Sequence, residues 1–195
     1  MSSMFSDEEW APEGAAHLDF QTLEGTDCYL DPDSEKAIIQ ALGPFPLGEI
    51  HWIDSGDFHY LSYLWLQKLT KPAALLLFDH HPDDQPPAFG PDILSCGGWV
   101  ARARNDNPLL DDAAEDVYLS IDLDYLSTDY ARTNWDQGEA SLDQLLSELD
   151  AALKGRTLAG VDICGGITAA QGGLADDFSI NRKTRNALLE YFSRL

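Results

Sequence analysis

The run Ala-Ala-Leu-Leu-Leu-Phe at 73–78 constrains this chain more than any other stretch. It is far too short to cross a bilayer and too uniformly apolar for a strand with one wet face. It reads as a strand covered on both faces, as in a parallel sheet clothed by helices. EIHWIDS (49–55), VYLSIDLD (117–124) and TLAGVDIC (157–164) fit as its neighbours. SEKAIIQAL (34–42) predicts a short helix capped by Ser34 and stopped by Gly43-Pro44. HYLSYLWLQKL (59–69) predicts a second helix, and WVARAR (99–104) a helical turn. Ser141, with Gln144 three residues on, opens a helix whose Leu142, Leu145, Leu146, Leu149 and Leu153 form one stripe, ended by Gly155. Residues 180–194 predict the last helix. Residues 80–98, rich in proline and glycine, read as a long loop. Residues 1–35 read as an irregular arm with a short strand near 17–20. Strands alternating with helices give an α/β fold with a mainly parallel sheet, in one domain over residues 1–195.

Charge narrows the partners. Thirty-four acidic against 12 basic residues give a net charge of −22. Such a surface repels nucleic-acid phosphate and anionic lipid, and it leaves carboxylates for hard cations. Neither nucleic acid nor a membrane is expected as a partner. The acidic start, MSSMFSDEEW, has no basic and apolar leader pattern. Cys28, Cys96 and Cys164 are sparse and odd in number and have no CxxC spacing, so they predict reduced thiols in a cytoplasmic protein. Homo-oligomerisation is left open.

The chemistry gathers where the strands end, which is where open α/β sheets bind ligands. The strand candidate at 49–55 runs into Asp54-Ser55-Gly56-Asp57-Phe58-His59, and that at 73–79 into Asp79-His80-His81-Pro82-Asp83. The candidate at 117–124 ends Ser120-Ile121-Asp122-Leu123-Asp124. In an extended segment alternate side chains share a side. Asp79, His81 and Asp83 then face one way, as do Asp122 and Asp124. Up to five carboxylates and two histidines would converge. So many carboxylates cannot all ionise together unaided, and divalent cations remove the conflict. Oxygen-rich ligation with one or two imidazoles suits Mn²⁺, with Fe²⁺, Zn²⁺ and Mg²⁺ as alternatives. His17, His51 and His80 read as structural or surface residues, and Trp99 as a pocket-lining ring.

These three segments, in this order, resemble those of the arginase and ureohydrolase family. The resemblance covers residues from about 50 to 165. It implies a three-layer α/β/α sandwich and a two-manganese centre. His59, Asp79, Asp83 and Asp122 would hold one ion, and Asp79, His81, Asp122 and Asp124 the other. It also implies a hydrolase in which a metal-bridging hydroxide cleaves a C–N bond of a small, possibly cationic, guanidino, amidine or amide substrate.

The chain departs from the family in three places. It is short between Asp83 and Asp122. Cys96 stands where the family has a histidine, so Cys96 and Asp57 become the candidates for proton transfer. Gly165 stands near the family's guanidinium-gripping glutamate, with Asp162 the nearest acid able to meet a cationic group. A non-catalytic, metal-dependent binding or regulatory module on the same fold is the alternative.

Overall fold

The computed structural model describes residues 1–87, 90 and 93–195. The elements, in chain order, are α1 (Met4–Asp7), β1 (Tyr29–Leu30), α2 (Pro32–Leu42), β2 (Ile50–Trp52), α3 (Leu61–Leu66) and β3 (Ala74–Phe78). There follow β4 (Leu94–Ser95), α4 (Trp99–Asp106), β5 (Asp116–Asp122), α5 (Leu142–Leu153), β6 (Thr157–Cys164) and α6 (Ala175–Phe192). Four strands form a parallel sheet in the order β2-β6-β5-β3. β1 and β4 pair antiparallel as a separate ribbon.

The pleat sorts the strand side chains into two cores. On one face Val117, Leu119, Ile121, Val161 and Ile163 meet Leu145 and Leu149 of α5 and Leu188 and Phe192 of α6. On the other, Leu75 and Tyr118 meet Ile38 of α2, Leu64 and Trp65 of α3, and Trp99 and Ala103 of α4. Helices therefore cover both faces, and the result is an α/β/α sandwich. Burying β3 from both sides is what its unbroken apolar run required.

Several local expectations are corrected. α2 begins two residues early because Asp31, not Ser34, is its cap: Asp31 Oδ1 accepts from the Asp33 and Ser34 amides. Ser34 turns inward and donates to the Glu24 carbonyl at 2.7 Å. The helix at 59–69 shortens to α3, because Gly56–Phe58 already forms a 3-10 turn. The turn expected at 99–104 is a full helix, α4. No strand forms at 17–20; the arm instead supplies α1 and β1. The loop at 80–98 contains β4 and a 3-10 turn at Cys96–Gly98, and its residues 88, 89, 91 and 92 lie outside the described residues. No helix of the described residues is long and apolar enough to cross a membrane.

Candidate metal centre

Alternation along the strands is not what brings the acids together. β3 ends at Phe78 and β5 at Asp122, so the motif residues beyond them leave the extended conformation. The chain turns instead. The His81 amide donates to Asp79 Oδ1 at 2.6 Å, and Asp83 sits in the left-handed region at φ 47°. Likewise Asp122 Oδ1 accepts from the Asp124 amide at 2.9 Å, which caps a 3-10 turn over Leu123–Tyr125. Turns therefore present both pairs to one cavity.

Two imidazoles meet the acids. His59 Nδ1 lies 3.1 Å from both Asp79 Oδ2 and Asp83 Oδ2, and 3.6 Å from Asp122 Oδ2. His81 Nδ1 lies 2.8 Å from Asp124 Oδ2 and 3.6 Å from Asp79 Oδ1. The ligand-capable atoms of His59, Asp79 and Asp83 lie within 4.8 Å of one another, as do those of Asp79, His81 and Asp124. Asp79 belongs to both groups. Asp122 joins His59 in a third group with Cys164. All six sequence-predicted ligands thus line one site, an open cavity of about 190 Å³.

The other side of His59 fixes its tautomer. Ser120 Oγ donates to Asp162 Oδ1 at 2.7 Å, so it accepts from His59 Nε2 at 2.9 Å. With Nε2 bearing a hydrogen, the Nδ1 lone pair faces the carboxylates, as a ligand requires. Without a cation, that nitrogen must hold a proton to sit among three carboxylates. Burial pulls the His59 imidazole down, but Cys164, Asp79 and Asp83 overcome it and hold it well above its ordinary value. Burial pushes Asp124 up to about 10, helped by the charges of Asp122 and Asp79. Burial and the Asp79 charge raise Asp122 to about 6. Burial lifts Asp83 as well, while for Asp79 the hydrogen bond and charge of His59 outweigh burial and lower it. A site that protonates its own ligands is one that divalent cations would relieve.

Two glycines leave room for this. A Cβ on Gly56 would come 3.0 Å from Asp122 Oδ2. A Cβ on Gly165, at φ 94°, would strike Asp122 Oδ1 at 2.4 Å and the Leu123 amide at 2.7 Å. No side chain fits at 165, so a gripping carboxylate cannot come from there. Nor does Asp162 reach the cavity: it is fully buried beneath Ser120.

Asp57 and Cys96 are placed differently from each other. Asp57 accepts from the side chains of Asn134, Trp135, Gln171, Ser55 and Cys28. Five donors on one carboxylate tie the segments flanking the cavity together. Cys96 lines the cavity, and burial and the Asp83 charge push its thiol up to about 11. Trp99 does not line it. Its ring is buried, and Nε1 donates to Asp83 Oδ2 at 2.7 Å from behind. The rim ring is Trp135. His51 is a core residue stacked on Trp65 at 3.5 Å, held down to about 4 by burial, whereas His17 and His80 are exposed.

Sequence reasoning overlooked Ser120 and Cys164 as contributors. Cys164 Sγ donates to Asp122 Oδ2 at 3.0 Å. The signal available was register. β5 and β6 are adjacent, and Asp122 pairs with Cys164 at their ends.

No family model matches the chain. An uncharacterized protein of Thermotoga maritima is 29% identical over 162 residues, covering 69% of this chain and 62% of that one. The chain therefore spans about three fifths of that relative's length. A hypothetical agmatinase from Burkholderia thailandensis superposes with a TM-score of 0.60 at 20% identity, covering 80% of this chain and 65% of the other. Proclavaminate amidino hydrolase from Streptomyces clavuligerus gives 0.60 at 14% identity, over 82% and 68% of the chains. Formimidoylglutamase from Bacillus subtilis gives 0.52 at 13% identity, over 78% and 65%. The chain thus has the α/β sandwich fold of arginase-like proteins, and what it does must be argued from its site.

Proposed function

We propose that this chain is a hydrolase that holds two divalent cations, Mn²⁺ by preference, and cleaves a C–N bond of a small guanidino, amidine or amide compound. The observation that supports it best is Asp79, whose carboxylate stands in two histidine-bearing groups at once. His59, Asp79, Asp83 and Asp122 would hold one cation. Asp79, His81, Asp122 and Asp124 would hold the other. Carboxylate oxygens with one imidazole each suit Mn²⁺ better than a thiolate-seeking ion. When bound, such a pair supplies an acidified, oriented water and polarises the carbon under attack.

The remaining residues shape what can react. Trp99 fixes Asp83, and the Asp162–Ser120 pair fixes His59, so neither ligand has to be ordered at the moment of binding. Among the described residues, the cavity lining contains no lysine or arginine. A carboxylate-bearing substrate would find no cationic side chain there. A neutral or cationic one would meet the ring of Trp135 and the amide of Gln85. Cys96 lines the cavity as a thiol placed to give a proton to a leaving amine. Asp57 positions Trp135 and Asn134 rather than exchanging protons, because its oxygens are already engaged.

The test is to purify the chain without chelator, count bound metal, add Mn²⁺ and screen guanidines, amidines, formyl amides and acetyl amides. About two cations per chain and release of the amine are expected. No bound cation would overturn the reading. Two cations with no turnover on any compound would favour a metal-dependent binding module, a reading that the missing side chain at Gly165 supports.

A further inference from the structure

Beyond the cation ligands, the cavity has a second pair of reactive groups, Cys28 and Cys96. They reach it from separate parts of the chain. The arm delivers Cys28 just before β1, and the segment after Asp83 delivers Cys96 just after β4. The ribbon pairs Tyr29 with Ser95 and Leu30 with Leu94, so the next step of the same register sets Cys28 opposite Cys96. The Cys96 amide donates to the Cys28 carbonyl at 3.0 Å, which closes that step. Residues opposite each other in an antiparallel pair have their Cα atoms about 4.5–5.5 Å apart. A disulfide spans about 4.4–6.8 Å between Cα atoms. Both side chains line the same cavity. Cys28 adopts φ 57°, a left-handed conformation that a side chain takes up only at a cost. That conformation sets its carbonyl against the Cys96 amide. Both residues are partly exposed through the cavity, whereas Cys164 is buried.

We infer that Cys28 and Cys96 form a reversible disulfide site, which on oxidation fastens the arm to the wall of the cavity. With an external disulfide such as glutathione disulfide as oxidant, one cysteine loses its proton and attacks a glutathione sulfur. One glutathione leaves as a thiolate, and a mixed disulfide remains. The second cysteine loses its proton, attacks the protein sulfur and expels the second glutathione. Two protein thiols have then given up two electrons and two protons, and the oxidant has become two glutathione thiols. The product replaces two S–H groups on the cavity wall with one bridge closing residues 28 to 96. A crosslink over so long a loop restrains the unfolded chain.

The experiment uses the full chain, reduced and then freed of reductant, with glutathione disulfide added. Free thiols should fall from three to one, a Cys28–Cys96 peptide should appear on mapping without reductant, and dithiothreitol should restore all three thiols. The thermal midpoint should rise by roughly 5 °C on oxidation. Cys28→Ser and Cys96→Ser should each lose that rise and carry glutathione on the remaining partner. Stable glutathione adducts on the parent chain, a crosslink through Cys164, three unchanged thiols or a crosslink without a shift would each overturn the inference. The peptide map of the parent chain decides the matter even if a serine variant folds poorly.

Discussion

Asp122 sits at the centre of an electrostatic conflict that it shares with Asp79 and Asp124. It is buried, faces the Asp79 charge and is raised to about 6. A carboxylate raised in the folded state favours folding fully below its unfolded value near 4, and that contribution is lost as pH rises through about 6. With cations stripped by chelator, the thermal midpoint of the parent chain should therefore fall as pH rises from about 4 through 6 on account of Asp122, and further toward 10 on account of Asp124. Asp122→Asn should lessen the fall between about pH 4 and 6 and should also weaken Mn²⁺ uptake, because an amide is a poorer ligand than a carboxylate. Melting curves across that window, with and without Mn²⁺, check both, and a variant that binds Mn²⁺ like the parent would remove Asp122 from the ligand set. Gly165 tests the same spot by steric means. Gly165→Ala puts a Cβ 2.4 Å from Asp122 Oδ1 at a φ of 94°, so it should cost about 2 kcal/mol or more of stability and depress Mn²⁺ binding with it. Urea titration of the variant reads the first effect and metal analysis the second. At this scale the residues that meet in the cavity were legible because Asp, His and Asp recur at fixed offsets beside apolar strands. Ser120 and Cys164 were not, since each acts only through a residue on a neighbouring element.

Element boundaries show where one-dimensional pattern stops being informative. β3, β5, α5 and β6 emerge almost as their periodicity predicts, since each buries a stripe or both faces of a sheet. The segments at 79–83 and 122–125 do not, because the sequence has the same alternating spacing whether the chain stays extended or turns. What decides it is the local competition of side-chain carboxylates for backbone amides, which favours turns. The start of α2 shows the same competition. Ser34 looks like a cap, but Asp31 holds two amides of the first turn and is followed by Pro32, which suits the first helical position. Asp31→Ala should lose about 1 kcal/mol through the cap alone. Ser34→Ala should act by a different route, by leaving the Glu24 carbonyl without its donor. Combining the two changes should be close to additive if the roles are separate, and denaturant titration of the double variant shows whether they are.

On the scale of the molecule, the arm carries most of what the sequence could not announce. Its first ten residues are acidic and lack periodicity, and nothing in them signals burial. Yet Met4 and Glu8 are fully buried, and Glu8 Oε2 accepts from Arg185 Nε of α6 at 2.8 Å. The partners lie 177 positions apart. Asn181 donates to the other Glu8 oxygen, and the Arg185 guanidinium lies over the rings of Phe5 and Trp10 at 5.1 and 5.6 Å. Arg185 also donates to the Gly165 carbonyl, beside Asp122, so one buried guanidinium links the arm, the last helix and the site. Removing one member of a buried ion pair strands the other charge, at a cost of about 3–5 kcal/mol. Arg185→Met should therefore destabilise the chain by that order. Adding Glu8→Leu should recover part of the loss, since the stranded carboxylate is gone and the replacement is apolar. Urea unfolding of the parent, both single variants and the double variant measures this coupling. If Arg185→Met cost less than about 1 kcal/mol, the arm would have to be held by its aromatic contacts, and Trp10→Ala would then become the larger of the two effects.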